Sequence, residues 1–199
     1  PEAVEGLTWY TDLALKHNSS TAAATTWMET DALAAFLQEK VPMFISGSWT
    51  PATIRQDNPE LGEKLVAFTL PSKDGAVAPS FLGGSLMCRF TETQEPELAF
   101  ELIKLITTGD FATRWAEETN YFPGTTDAVD EVVAGGDELT EVFATQMVEG
   151  GRPVPVTPAW GKIEGAKTIS TLLGDILGGT PVQEAADAAA AEMDGFFSE

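Results

Sequence analysis

The sequence predicts an α/β fold that is rich in helices and has only short strands. The chain has 199 residues, of which 43% are hydrophobic, enough for one large core or two smaller ones. Most apolar residues recur at helical spacing, and brief apolar runs supply the strand candidates. Clusters of proline and glycine separate these segments. We therefore expect a folded chain of helices and short strands rather than a disordered one.

The first 70 residues are predicted to form three helices and two strands. Apolar residues at mainly helical spacing predict helices over 4–17 and 31–38. The run 41–45 predicts a short buried strand, and Pro51 fits the first turn of a short helix because a proline there sacrifices no helical hydrogen bond. A second strand is predicted over 65–70.

Two segments in the middle of the chain combine breakers with apolar residues. Residues 71–79 contain two prolines and a glycine and are predicted to be a linker or hinge. Residues 80–90 predict a strand that Gly83-Gly84 interrupts, which indicates a bulge or a close approach to the backbone. A chain crossing between two bodies would use such segments.

The rest of the sequence predicts helices around one rigid extended segment. Residues 152–158 have a proline at every second or third position, which disfavours helix, and Trp160 follows directly. The last helix begins after Thr180 with a proline and a capping-box glutamine. The predicted helices span 96–108, 110–118, 126–133, 138–148, 163–177 and 181–197.

The charge balance excludes several classes of partner. With 31 acidic and 11 basic residues the formal charge is -20, which repels phosphate backbones, so we expect no nucleic-acid partner. The single cysteine, Cys88, is expected to be a small buried hydrophobe. No segment has the roughly 18 to 20 apolar residues of a membrane-spanning helix.

Catalytic and cofactor motifs are absent from the sequence. The single histidine, His17, and Cys88 have no supporting local motif, and no phosphate loop, HExxH or CxxC pattern occurs. We therefore expect no catalytic residue, no metal and no cofactor. Paired carboxylates of the glycosidase type stay open, because a chain this acidic offers many pairs.

Three unusual turns are the candidate binding elements. They are Trp49 after the strand 41–45, the segment Gly83-Gly84-Ser85, and Trp160 after the proline-rich segment. Rigid aromatic faces together with exposed backbone amides suit a sugar, which has flat apolar faces and polar rims. The alternative is that both tryptophans are core residues and the glycines only a bulge.

Seven segments form an ordered series along the chain, and the first of them ends in Phe44-Ile45-Ser46-Gly47-Ser48-Trp49. The segments are 31–49, 68–71, 81–85, 95–106, 120–124, 152–153 with 157–160, and 178–185. In this order they resemble the C-terminal half of the extracellular solute-binding proteins of ATP-binding-cassette sugar importers, a maltose-binding-protein-like family. A departure is Glu39-Lys40-Val41-Pro42-Met43, where the family usually has a lysine or alanine-rich segment.

The resemblance implies a two-lobed periplasmic-binding-protein-like fold of type II, here incomplete. Lobe 2 would comprise 1–70 and the part of 134–199 that follows a hinge return. A hinge crossing would span 71–80, and 81–133 would be the C-terminal part of lobe 1. The ligand-binding residues implied are Trp49, Gly83, Gly84, Ser85, Trp160 and Arg152, with Tyr121 and Trp27 as weaker candidates.

The resemblance also implies a function. The protein would be the substrate-binding component of an ABC transporter that binds a carbohydrate, expected to be an oligosaccharide, in the cleft between lobes and delivers it to the permease transmembrane subunits. We expect a monomer when full length, extracellular or periplasmic, tethered by a lipid in Gram-positive cells through the missing N-terminal half. The alternatives are a carbohydrate-active enzyme with paired carboxylates and a helical protein-interaction module.

Overall fold

The computed structural model describes residues 2–21, 24 and 26–198, and this part of the chain is mostly helical. Two short strands, β1 Ser80–Phe81 and β2 Gly151–Arg152, and a π turn at Gln146–Gly150 complete the described elements. The helix-rich fold class with short strands is confirmed. The α-helices are α1 Glu2–Leu15, α2 Glu29–Leu37, α3 Thr50–Asp57, α4 Pro59–Gly62, α5 Pro96–Thr107, α6 Gly109–Thr119, α7 Thr126–Gly135, α8 Glu138–Thr145, α9 Pro158–Ala166, α10 Thr168–Leu177 and α11 Val182–Ser198.

The chain forms two compact units. Unit 1 consists of Pro1–Ala32 with Val154–Glu199, and unit 2 consists of Leu33–Pro153. These bounds are not those of the lobes that the family resemblance implies, and the division into lobes stays a prediction. No helix within the described ranges is both long enough and apolar enough to span a bilayer.

Unit 1 packs α1 and α9 against the pair α10 and α11. Its core contains Leu172 and Ile176 of α10 against Ala185 and Ala189 of α11. The small alanine side chains let the two helices approach closely, as their spacing along α11 places them on one face. Ile163 of α9 is 1% exposed and is among the largest fully buried side chains described.

Unit 2 is a succession of helices in which each packs on the next, from α5 through α8. Its buried residues include Ala112 and Ala116 on one face of α6 and Val129 on α7. Ile54 of α3 is 2% exposed. Beyond the helices, β1 and β2 form a parallel pair in the register Ser80 to Gly151 and Phe81 to Arg152.

Helix ends follow the local signals in the sequence. Proline occupies the first turn of α3, α5 and α9, where its missing N–H costs no hydrogen bond. Asn120 ends α6 in the left-handed conformation at φ 59, which asparagine tolerates. Asp137 caps α8 by accepting a hydrogen bond from the Thr140 N–H. The starts of α3, α5 and α8 were predicted, whereas α9 begins at Pro158, inside the segment predicted to be extended, rather than at residue 163.

The predicted strands are mostly wrong. Residues 41–45 and 65–70 belong to no strand, and the predicted strand 80–90 is reduced to Ser80–Phe81. A strand requires a hydrogen-bonded neighbour, and within the described residues only Ser80–Phe81 of these segments pairs with one, the strand β2. Their apolar character is real, but the pairing partner is missing.

Two further predictions are corrected. The single helix predicted over 163–177 is two helices, because Lys167 adopts a left-handed conformation at φ 58 between α9 and α10. Cys88 is exposed rather than buried, since every residue of 82–90 is exposed and no element covers the segment. The predicted linker 71–79 contains no helix, and its two ends pair through an antiparallel bridge between Pro71 and Val77.

Candidate functional site

Trp49 lies directly before the start of α3, as predicted, although the predicted strand 41–45 that was to precede it does not form. Trp49 is half-buried, and its neighbour Thr50 is 3% exposed and shares a hydroxyl hydrogen bond of 2.5 Å with Ser46. A methyl group added at Gly47 would lie 2.8 Å from the Trp49 indole Nε1. The indole therefore lies directly over the Gly47 backbone, and a minor part of the Trp49 surface stays accessible.

Two contacts with residues far along the chain fix this turn. The Ser48 hydroxyl donates to the Asn120 carbonyl oxygen at 2.7 Å, which ties the turn to the end of α6. Arg55 on α3 pairs with Asp137 at 2.6 Å, which ties the same helix to the start of α8. Since the turn is held on both sides, Trp49 has a defined position within unit 2.

A cavity of about 320 Å³ lies where these elements of unit 2 meet. Its polar lining includes Ser48, Arg55, Asn120 and Asp137, and Phe143 contributes an apolar side. The polar groups are largely satisfied by one another. The cavity therefore belongs to the support of the Trp49 turn.

Asp137 is the one residue of this support whose ionisation is clearly perturbed. Partial burial raises the pKa of Asp137, but hydrogen bonds from the Thr140 backbone N–H, the Arg55 guanidinium and the Thr140 hydroxyl outweigh burial and lower the pKa below its ordinary value. The carboxylate is therefore ionised at neutral pH and serves both as a helix cap and as an ion-pair partner.

The predicted segment Gly83-Gly84-Ser85 lies directly beside the predicted residue Arg152. The Leu82 N–H donates to the Arg152 carbonyl oxygen at 2.8 Å, continuing the parallel pairing of β1 with β2. All three residues of the glycine segment are exposed. The structure thus brings two of the predicted ligand-contacting segments together.

The individual glycines differ in their surroundings. A methyl group at Gly83 would meet the Phe81 ring at 2.6 Å, whereas one at Gly84 would meet nothing within 4 Å. A side chain at Gly83 would have to displace the exposed Phe81 ring, whereas Gly84 leaves open space for another molecule. Arg152 is exposed and donates to the Gly151 carbonyl at 2.8 Å, and no carboxylate pairs with it among the described residues.

Trp160 lies in unit 1, in the first turn of α9, whereas Trp49 belongs to unit 2. Trp160 is half-buried, and its indole Nε1 is buried with no hydrogen-bond partner in the described part of the chain. A buried indole N–H normally finds an acceptor. Because this N–H is shielded from solvent, it is an unsatisfied buried donor, and only the accessible part of the Trp160 ring is available to a ligand.

The two weaker candidates are placed differently. Tyr121 is 47% exposed, and its ring stacks on Trp115 with centroids 5.8 Å apart, so one face of Tyr121 is occupied. Trp27 is half-buried in unit 1. Within the described ranges, no group of three or more His, Cys, Asp or Glu side chains has an arrangement that could hold a metal ion.

Sequence reasoning did not identify the supporting residues Ser48, Asn120, Arg55, Asp137 and Gln146. Their hydrogen-bond partners are 66 to 82 residues away along the chain, so no local sequence pattern indicates these contacts. One signal was available for Asp137, because an aspartate three residues before a threonine at a helix start is a common N-cap position. That signal predicts the cap but not the ion pair with Arg55.

Comparison with known proteins decides the family. A sequence profile described as bacterial extracellular solute-binding protein matches residues 1–141. The chain belongs to this family. No curated protein sequence matches this solute-binding protein significantly.

Solved structures of solute-binding proteins share the fold. An ABC transporter solute-binding protein from Thermotoga lettingae TMO, bound with α-D-tagatose, has a TM-score of 0.81 and 28% identity over 98% of this chain. A Synechococcus sp. MITs9220 protein assigned as an oligosaccharide periplasmic-binding protein has a TM-score of 0.65 and 17% identity over 97% of this chain. The same Synechococcus protein in complex with zinc has a TM-score of 0.66 and 17% identity over 97% of this chain.

The chain spans about half the length of these structures, with coverage of 49%, 53% and 52% of the three chains in the same order. The family and these neighbours are solute-binding proteins, which are not enzymes. The carbohydrate-active enzyme that the acidic composition left open is therefore set aside.

Proposed function

We propose that this solute-binding protein binds a carbohydrate between two lobes and presents it to the transmembrane subunits of an ABC permease. The observation that supports it best is the Trp49 indole, which lies over Gly47 at a turn fixed by two long-range contacts while part of its surface stays accessible. An indole held in this way offers a rigid stacking face to a sugar ring at low entropic cost.

The similarity to a tagatose-bound protein supports a sugar as the solute. That protein aligns with 98% of this chain at 28% identity. Gly83, Gly84, Ser85 and Arg152 would supply directed hydrogen bonds, since they are exposed and lie side by side. Trp160 would contribute an aromatic contact in unit 1 through the part of its ring that stays exposed.

We further propose that the full-length protein contains an N-terminal half that covers the exposed apolar surface of unit 2. Leu98, Leu102 and Leu105 recur at helical spacing on α5 and are 67%, 52% and 62% exposed. Val66 and Phe68 are 84% and 62% exposed. Monomeric soluble proteins rarely expose contiguous apolar patches larger than a few hundred Å².

The proposed lobes remain those given by the resemblance, with 1–70 and the later part of 134–199 in lobe 2, 71–80 as a crossing and 81–133 in lobe 1. The full-length protein would be monomeric and extracellular or periplasmic, with a lipid anchor in a Gram-positive cell.

Binding of a fluorescent dye tests whether an N-terminal half covers the exposed apolar surface of unit 2. The fluorescent probe ANS should bind residues 1–199 alone far more strongly than the full-length protein, and equal binding would refute the covering half.

The carbohydrate proposal is tested by thermal shift of the full-length protein with D-tagatose and a series of oligosaccharides. A sugar at 100 times its Kd should stabilise the protein by about 2.7 kcal/mol. Trp49→Ala should remove most of that shift and leave the unliganded protein folded. Trp9→Ala is the matched control, because Trp9 is 67% exposed on α1 and no predicted ligand segment includes it.

Two outcomes would contradict the proposal. A full-length protein that no sugar stabilises is not a carbohydrate-binding protein. If Trp49→Ala instead lowers the unliganded melting temperature strongly while Trp9→Ala does not, Trp49 is a core residue and the alternative interpretation of the turn is correct.

A further inference from the structure

The side chain of Gln146 makes three hydrogen bonds to one distant segment. Its Oε1 accepts from the Leu70 N–H at 2.7 Å, and its Nε2 donates to the Ala78 carbonyl oxygen at 2.9 Å and to the Ser80 hydroxyl at 3.0 Å. The opposite orientation of the amide would place donor against donor and acceptor against acceptor. The three partners therefore define both the orientation and the need for an amide.

The segment that Gln146 binds, from Leu70 to Ala78, is a closed loop. The Ala78 N–H donates to the Leu70 carbonyl oxygen at 2.7 Å, and an antiparallel bridge joins Pro71 to Val77. Leu70 and Ala78 are thus the two ends of this loop, and Gln146 binds a backbone group at each end. The loop cannot shift relative to the π turn at Gln146–Gly150 without breaking these bonds.

Gly150 closes the same junction from the other end of the π turn. It is buried, and a methyl group there would lie 2.6 Å from the Ala78 carbonyl oxygen and 3.0 Å from Val77 Cγ1. Such distances are shorter than real side-chain contacts, so only glycine allows this approach. The C-terminal end of the loop at Ala78 therefore lies between the Gln146 side chain and the Gly150 backbone, which belong to the two ends of the π turn.

The exit of the loop leads directly to the proposed ligand contacts. Ser80 begins β1, which pairs with Gly151 and Arg152, and the Leu82 N–H bonds the Arg152 carbonyl oxygen. Gly83-Gly84-Ser85 follows immediately. The position of this segment beside Arg152 thus depends on the junction at Gln146.

We propose that Gln146 is a positioning residue of the carbohydrate site, holding Gly83-Gly84-Ser85 beside Arg152 without touching the ligand. This inference rests on the proposed function. Gln146 is half-buried, and its amide satisfies a backbone N–H and a carbonyl that other secondary structure leaves available. A side chain without this donor and acceptor set would release the loop and with it the start of β1.

The experiment uses the full-length protein with Gln146→Met, Gln146→Glu and the control Gln183→Met. Methionine keeps the length of the side chain and loses all three hydrogen bonds, whereas glutamate keeps the acceptor for Leu70 and loses both donors. Gln183 is an exposed glutamine on α11 that bonds Asp187 at 2.8 Å, so its loss controls for the chemistry of the change.

Two measurements are made on each variant. Amide hydrogen exchange of Leu70 and Leu82 in the unliganded protein reports the junction, and calorimetric titration with D-tagatose and maltotriose reports the site. We expect Gln146→Met to speed exchange at both amides and to weaken the Kd by about tenfold or more. Gln146→Glu should speed exchange at Leu82 while protecting Leu70 better, and Gln183→Met should change neither measurement.

Each outcome decides one of the two proposals. If the wild-type protein binds the sugar and Gln146→Met binds it equally well, the positioning role is refuted and the proposed function stands. If the wild-type protein binds neither sugar nor any other in the thermal-shift series, the proposed function fails and the role fails with it. Should Gln146→Met not fold, Gln146→Glu gives the same decision.

Discussion

Substitution of Asp137 separates two contributions of one carboxylate to the stability of the fold, the cap of α8 and the ion pair with Arg55. Its Oδ1 accepts from the Thr140 backbone N–H at 3.0 Å, and its Oδ2 meets the Arg55 guanidinium at 2.6 Å. Asp137→Ala removes both contacts. Asp137→Ser removes the ion pair and keeps a good N-cap, because a serine hydroxyl accepts the same backbone N–H.

The magnitudes follow from the exposure of each group. The side chains of Arg55 and Asp137 are 46% and 42% exposed, so solvent screens the ion pair and its loss should cost only about 0.5 kcal/mol. Loss of an N-cap costs about 1 kcal/mol. Asp137→Ala should therefore destabilise the protein by about 1.5 kcal/mol and Asp137→Ser by about 0.5 kcal/mol. Arg55→Met should match Asp137→Ser.

Urea denaturation at pH 7 and low salt measures these differences in the free energy of unfolding. The double variant Asp137→Ser with Arg55→Met should cost no more than either single change, because both remove the same pair. Equal stability of Asp137→Ala and Asp137→Ser would show that the carboxylate does not cap α8. Costs that simply add in the double variant would show that no ion pair contributes.

The remaining predictions concern acid, packing and the core. Because the folded pKa of Asp137 is depressed, its contribution is present above the unfolded pKa of about 3.9 and is lost as pH falls through the folded pKa. The stability gap between wild type and Asp137→Ser should persist in urea titrations at pH 5 and narrow as the pH is lowered below the unfolded pKa. Gly150→Ala places a methyl group 2.6 Å from the Ala78 carbonyl oxygen and should cost about 1 to 3 kcal/mol, whereas Gly84→Ala should stay within about 0.5 kcal/mol. Ile163→Ala removes a side chain that is 1% exposed and should cost about 2 to 5 kcal/mol in the same assay; a value below about 1 kcal/mol would contradict its core position.

The helices were predictable because their signals are local. Pro96 begins α5, Asn120 ends α6 in a left-handed conformation, and the alanine face of α11 repeats at helical spacing. The break between α9 and α10 has no such signal. Lys167 adopts φ 58 without being glycine or asparagine, so its residue type does not indicate a break in the helix there.

The strands were not predictable from their own residues, since a strand exists only with a partner. Val66 and Phe68 have the apolar character of a strand but belong to none. Likewise, the Trp49 turn was visible in the sequence, but the residues that hold it were not. Ser48 and Asn120 are separated by 72 positions, so only the folded chain reveals their contact.

The two parts of the proposed site in unit 2 differ in how firmly they are held before a ligand arrives. Trp49 lies over Gly47 and is fixed through Ser48, whereas Ser85 is exposed and makes no hydrogen bond within the described residues. Ordering an exposed side chain on binding costs about 0.5 to 1.5 kcal/mol, and a preorganised one costs less. The aromatic contact should therefore contribute more net affinity than the polar segment does. If Gln146 positions that segment as proposed, anchoring its start reduces the ordering cost that a ligand must overcome, so a residue that does not contact the ligand would still affect its affinity.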